Sequence, residues 1–268
     1  MLKNDEILER VSVGEDLDNS AIKRPKFLNP EKERTYIKQR LVASFRLFAH
    51  YGFDAGVAGH ISVRDPEFKD SFWVNPMSVH FSQIKISDLV RVNHDGDIVE
   101  GNKVINKAAF AIHSRIHALR PDVNAAAHAH SEHGRTWSSL GRLLDPISQD
   151  SCTFYKNQVI YEKYLGIVED CSEGDEIANL LGENETVILQ NHGLLTTGKF
   201  VEAAAWLFIL MDSCCKSQLM AEAIAKPIII PHDSALKARN YIVNDVVHFA
   251  NFQPLYQMIT EKEPDMFE

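Results

Sequence analysis

The stretch AAAHAHSEHG, residues 125–134, decides how this chain is read. With Val123 and Asn124 ahead of it, VNAAAH has the short apolar character of a buried strand. Side chains on a strand alternate between its two faces. An extended chain therefore puts His128 and His130 on one face, as a ready pair of imidazole ligands for one metal ion. TVILQNHGLLTTG, residues 186–198, supplies a third candidate. His192 follows the buried strand TVILQ and precedes Gly193, where the backbone can turn and approach closely. Three neutral imidazoles around an open fourth position form a catalytic zinc arrangement, although imidazole suits several divalent ions. The competing reading is that these rings only fill core space. The chain holds 12 histidines, so an isolated H-x-H can arise by chance. Two such motifs, each beside a strand, weigh toward ligation.

The rest of the chain alternates strands and helices. Asn29-Pro30 reads as a cap followed by proline at the first helical position. Ile37, Leu41, Phe45 and Phe48 follow at helical spacing until Gly52. HISVRD (60–65), FWVNP (72–76) and LVRVN (89–93) read as strands, and HDGD (94–97) as a tight hairpin turn. A helix is expected over Lys107–Leu119, ending before Pro121. SEHGRTWSSLG (131–141) reads as a helix or turn-helix, QVIYEKY (158–164) as a strand and EGDEIANLLG (173–182) as a short helix. The long apolar segment 201–225 turns polar at its end, which suits a core or subunit-interface helix. A final helical region follows Pro231. Residues 1–28 read as an N-terminal arm and 29–268 as one α/β domain with a central sheet covered by helices.

Composition narrows the function classes. The 268 residues carry a net charge of −9 and are 45% hydrophobic. An acidic balance lacks the basic stripe of a nucleic-acid binder. No apolar run reaches the ~18–20 residues of a membrane span. The opening MLKNDEILERVSVGEDLDNS is too acidic and polar for a targeting peptide, so a cytoplasmic protein with a small-molecule substrate is expected. Cys152, Cys171, Cys214 and Cys215 show no metal or redox spacing and suit buried thiols.

RPDVNAAAHAHSEHG, followed some way on by VILQNHGLLTTG, resembles the class II aldolase/adducin family, whose fuculose phosphate aldolases are familiar members. AGHISVRDP, FWVNPMSVHFSQIKISDLVRVNHDGDIVEG and the VEAAAW helix extend the resemblance across Glu33–Ala225. It implies a three-layer α/β/α fold with a mostly antiparallel central sheet. It also implies a divalent ion, usually zinc, on His128, His130 and His192, and a homo-oligomer, commonly a C4 tetramer with sites at subunit interfaces. The implied reaction is retro-aldol cleavage of a small hydroxycarbonyl or sugar phosphate substrate such as fuculose phosphate.

The chain departs from the family in two places. Aldolases carry a proton-transferring glutamate four residues before the position of His113, where this chain has Ala109. Their phosphate-binding pairs match Gly59-His60, Met77-Ser78 and Lys107-Ala108 here, so most small donors are gone. Gly59, His60, Ser78 and Lys107 are the substrate-binding candidates. Lys107 can hold a carboxylate or simply be a solvated lysine at a helix start. Asp150 and Tyr155, in SQDSCTFY, are the catalytic candidates to replace the glutamate, with His60, Glu132 and His133 behind them. Each has a plain alternative as a cap, a half-buried ring or a solvated helix start. His113 and His117, four apart on one helix face, are expected to pack or hydrogen-bond behind the ligands. A decarboxylase or hydro-lyase would use the same metal without the glutamate. An adducin-like binding domain is the reading of a different class. Adducins carry a neck and a basic tail, whereas this sequence closes on an acidic stretch.

Overall fold

The computed structural model describes residues 22–166 and 171–268. Most of the expected arm, and the segment 167–170, lie outside the described residues. Helix α1, Pro30–His50, starts where Asn29 Oδ1 accepts from the N–H groups of Glu31 and Lys32 at 2.8 and 3.3 Å. This satisfies two donors that the helix itself cannot. Leu41, Phe45 and Phe48 are fully buried, and the helix ends before Gly52, whose φ of 77° favours glycine. Ahead of α1, the Phe27 ring packs 5.0 Å from Tyr36.

Eight strands form one sheet: β1 (Gly59–Arg64), β2 (Ser71–Val74), β3 (Val90–Asn93), β4 (Ile98–Glu100), β5 (Ala125–Ala129), β6 (Gln158–Tyr161), β7 (Thr186–Leu189) and β8 (Gly193–Gly198). Their order is β4-β3-β2-β1-β5-β8-β7-β6, antiparallel throughout except for the β6–β7 pair. That parallel pair needs a crossover, supplied by the helix between them, α4 (Cys171–Leu181). The other described helices are α2 (Lys107–Leu119), α3 (Glu132–Ser138), α5 (Val201–Ile224), α6 (His232–Ile242) and α7 (Asp245–Lys262). Helices α1, α5 and α7 pack together on one side of the sheet, and α2 with α4 on the other. This is the expected three-layer α/β/α fold with a mostly antiparallel sheet. No described helix is long and apolar enough to cross a membrane.

Strand β5 explains its own run of alanines. Ala125, Ala127 and Ala129 face the α1–α5 core, which also holds Ala204 and Ala205 of α5. Small residues on both elements let the helix lie close to the strand. The alternate positions carry His128 and His130 to the α2 side. Segment 193–198, read from sequence only as part of a motif, is the strand β8. Leu189 pairs with Gly193, so Gln190, Asn191 and His192 form a tight hairpin with Asn191 at φ 58°.

The two helices on the pocket side approach backbone to backbone. A Cβ on Gly174 of α4 would sit 2.3 Å from the carbonyl oxygen of Ala111 in α2. Helix propensity alone favours Gly→Ala by about 1 kcal/mol. Overpacking against a backbone atom costs about 1–3 kcal/mol or more. Gly174→Ala is therefore expected to lower the midpoint of denaturant unfolding. A variant as stable as the parent would show that α2 and α4 part freely.

Candidate metal centre

The site begins with β1 and β5. Their register pairs His60 with His128 and Gly59 with Ala129. Gly59 has φ 123°, and a Cβ there would lie 3.1 Å from Phe81 Cζ and 3.2 Å from the His128 carbonyl oxygen. Glycine is what lets β1 start this close to the histidine strand. The β7–β8 hairpin brings His192 beside the β5 pair. Ring centroids lie 5.1 Å apart for His128 and His130, 4.8 Å for His128 and His192, and 4.9 Å for His130 and His192. One ring nitrogen from each comes within 4.8 Å of the other two.

The donor set fits a divalent ion. His128 Nδ1 lies 2.8 Å from the Leu194 carbonyl oxygen. A carbonyl only accepts, so Nδ1 carries the proton and Nε2 keeps its lone pair for a metal. Burial, then the neighbouring imidazoles, hold His128 well below the usual histidine range. Burial and then His130 bring His192 down to about 4. Burial and then Arg135 lower His130. All three are neutral at physiological pH, as ligation requires.

The triad opens into a cavity of about 230 Å³ whose walls include Val57, Ala58, Ala108, Ile112 and Tyr164. Gly59, His60 and Asn106 also line it, and no lysine or arginine does so among the described residues. Behind the triad runs a buried polar seam. His60 packs 5.3 Å from His113, centroid to centroid. Ser62 Oγ lies 2.7 Å from His113 Nδ1 and 2.8 Å from His117 Nε2, one hydroxyl hydrogen-bonded to both rings.

The structure thus brings together His128, His130, His192, Gly59 and His60. It does not bring the other candidates to the pocket of the same chain. Asp150 is exposed in a short turn, 150–154, that packs on α5 and α6. The Tyr155 hydroxyl lies 2.7 Å from His232 Nδ1 of α6. Ser78 is exposed at φ 66°, and Lys107 is exposed at the start of α2 between two lining residues. Glu132 is exposed in the first turn of α3. His133 Nδ1 is held 2.9 Å from Asp212 Oδ2, while Asp212 Oδ1 accepts from Gly134 N–H. His133 therefore ties α3 to α5. Sequence reasoning missed Tyr164, Asn106 and the bridging Ser62. Ser62 carried one signal: it lies two residues after His60 on a strand, hence on the same face.

A family model described as the class II aldolase and adducin N-terminal domain matches residues 39–219. The chain belongs to the class II aldolase and adducin family. Decarboxylase NovR from Streptomyces niveus is 39% identical over 244 residues, spanning 90% of each chain. A Streptomyces roseochromogenus subsp. oscitans protein named 4-hydroxy-3-prenylphenylpyruvate oxygenase/4-hydroxy-3-prenylbenzoate synthase is 38% identical over 244 residues, 90% of this chain and 88% of that one. The solved structure of L-fuculose 1-phosphate aldolase from Glaciozyma antarctica PI12 superimposes with a TM-score of 0.87 at 37% identity, covering 93% of this chain and 98% of the other.

Proposed function

We propose that the chain is a divalent-metal-dependent carbon–carbon lyase acting on a non-phosphorylated oxo acid or hydroxycarbonyl compound. The observation that carries this reading is the convergence of three imidazoles on the wall of a largely apolar cavity. His128, His130 and His192 would hold the ion, which when bound supplies a Lewis acid for a substrate carbonyl. Val57, Ile112 and Tyr164 would shield the substrate's tail from water. Ala109 stands where aldolases keep their glutamate and cannot move a proton. Loss of carbon dioxide from the carbon beside that carbonyl leaves the electron pair of the broken bond on the carbonyl oxygen as an enolate; it needs no base to begin, only a proton for the carbon left behind, so decarboxylation of a 3-oxo acid suits this site. The name of one Streptomyces relative, a decarboxylase, supports this reaction; the other is named an oxygenase, and its name carries a phenylpyruvate, itself an oxo acid.

The second reading is retro-aldol cleavage of a sugar phosphate, favoured by the likeness to the G. antarctica aldolase. In it Gly59, Ser78 and Lys107 would serve the phosphate, yet Ser78 and Lys107 stand outside the cavity lining of a single chain. In both readings zinc is the ion, the assembly a homotetramer and the compartment the cytoplasm. Asp150 and Tyr155 would act only if assembly brought them to a neighbour's pocket.

The test starts from protein purified without chelator or histidine tag. Elemental analysis is expected to find about one divalent ion per chain. Oxo acids, hydroxyaldehydes and fuculose 1-phosphate are then assayed under air and under nitrogen. Metal-dependent release of carbon dioxide from an oxo acid, faster than any cleavage of the sugar phosphate, is the expected result. Faster sugar phosphate cleavage would select the second reading. Failure to take up any metal would overturn both and leave an adducin-like binding domain.

A further inference from the structure

The cavity wall between α1 and β1 is anchored at both ends and loose in the middle. Phe53 fixes the α1 end. It is buried, packs edge-on against Phe48 at 5.5 Å and Phe208 at 5.4 Å, and its N–H donates to the Phe48 carbonyl. Gly59 fixes the other end, in register with Ala129. Between these anchors run Asp54, Ala55, Gly56, Val57 and Ala58. Val57 and Ala58 line the cavity, yet Ala55, Gly56 and Val57 are exposed. Among the described residues, the backbone of this span makes one hydrogen bond, from Ala58 N–H to the Ala55 carbonyl, which stays inside the span. Gly56 turns it at φ 64° with open space around. A short exposed span without backbone ties to its surroundings opens at low cost.

Asp54 is its one polar side chain, and that side chain reaches across to a rigid post. Asp54 Oδ2 lies 3.1 Å from His80 Nε2. On the far side of the ring, Ser82 N–H donates to His80 Nδ1 at 3.3 Å, with the Ser82 hydroxyl 2.7 Å away. Nδ1 therefore accepts, the proton sits on Nε2, and that N–H donates to the carboxylate. The next residue, Phe81, is buried and packs 5.0 Å from Phe45 of α1. The Ile84 carbonyl accepts from Arg46 Nε at 3.1 Å, and Arg46 also holds Glu263 at 3.1 Å and Asp265 at 3.0 Å. Ser87 N–H and Oγ both donate to the Glu268 carbonyl, and Met266 is fully buried. Residues 263–268 thus strap the turn that carries His80 onto α1.

We propose that residues 54–58 are a lid over the cavity of the three histidines and that the Asp54–His80 hydrogen bond is its latch. This rests on the metal reading above for what the cavity holds. It adds a gate to that reading: opening of the lid sets how fast an ion enters and leaves, and not how tightly it is held.

The probe is zinc. Uptake by the metal-free full chain and release to excess pyridine-2,6-dicarboxylate are timed by stopped flow, and the zinc dissociation constant is measured separately by competition. Asp54→Ala and His80→Phe each remove the latch. Each is expected to speed uptake and release by one common factor of about fivefold, the upper scale for a half-exposed pair of this kind. The dissociation constant should therefore not change. The double variant is expected to go no faster than either single one, since both remove the same bond. His80→Gln keeps a donor and is expected to fall between the parent and His80→Phe. Unchanged rates in both single variants would overturn the proposal. So would faster release with unchanged uptake, the mark of a damaged ligand set, or a double variant in which the two effects multiply. A parent protein that takes up no zinc would overturn the metal reading alone. The lid is then read through a thiol on another wall of the cavity, Ala108→Cys, labelled with iodoacetamide and followed by peptide mass analysis. Adding Asp54→Ala is expected to quicken labelling of that thiol, and an unchanged labelling rate would overturn the lid.

Discussion

Replacing His192 with alanine is expected to lower metal affinity about a hundredfold or more. Losing even an outer partner of a ligand costs roughly 10–100-fold, and His192 is placed as a direct ligand. Its ring sits within 5 Å, centroid to centroid, of both His128 and His130. It is carried on a three-residue hairpin that alanine can keep, since its backbone N–H still donates to the Leu189 carbonyl. The fold should therefore survive while the ion is lost. Two imidazoles remain, which make a weak site. A chelator competition with elemental analysis reads the effect. His133→Ala is the internal control, only three residues from His130 along the chain. Its ring is committed to Asp212, so this variant should lose some stability and keep its metal. Equal metal content in the parent and His192→Ala would remove His192 from the ligand set. Equal loss in both variants would show that the effect is structural.

Asp65→Ala is expected to cost about 3 kcal/mol of stability, at the lower end of what removing one partner of a buried pair costs. Asp65 is fully buried at the end of β1. Its carboxylate accepts from Arg34 Nε at 2.7 Å and Nη2 at 3.0 Å, from Trp73 Nε1 at 2.9 Å, and from the N–H groups of Glu67 and Phe68. Alanine strands all of these donors, though Arg34 keeps its bond to Glu67. The same contacts set a pH dependence. Burial works against the charge, but the hydrogen bonds from Arg34, the two N–H groups and Trp73 together outweigh it. They hold the carboxyl well below the usual range. An Asp that titrates near 3.9 unfolded and lower when folded contributes stability that is complete above that value. The contribution is lost as pH falls toward the folded pKa. Acid unfolding followed from pH 5 downward should thus be shallower in Asp65→Asn than in the parent. Parallel curves would mean that Asp65 titrates alike in both states.

Much of this arrangement was legible in the residue order because it follows short periods. The two-residue step from His128 to His130, and the cap and spacing of Asn29 to Phe48, express local geometry that sequence carries directly. Helix α2 was read with its observed ends because Pro121 closes it. What stayed hidden depends on contacts between distant segments. Ser62 joins His113 and His117 only because α2 lies across β1. Asp150 and Tyr155 were assigned by their place in a family segment, and folding carries that segment to α5 and α6. Strand β8 is not set apart in the sequence, because its six residues follow the Asn191–His192 turn directly and their pairing with β5 and β7 joins distant segments. His133 reads as a site residue by nearness in sequence, but α3 turns its ring toward Asp212.

The parity of β5 gives the chain a way to change occupation without changing shape. Its odd-numbered alanines answer to helix α5, and no reaction at the opposite surface alters what they must be. The histidines at even positions, His128 on the strand and His130 just past its end, answer to the pocket, and the packing of α5 scarcely registers them. Selection for folding and selection for activity therefore act on interleaved but separate letters of the same word. A descendant that abandoned chemistry to become a scaffold would be free to let the imidazoles drift while its alanines stayed fixed. A lineage that adopted a new reaction could rewrite the even positions and inherit the architecture intact.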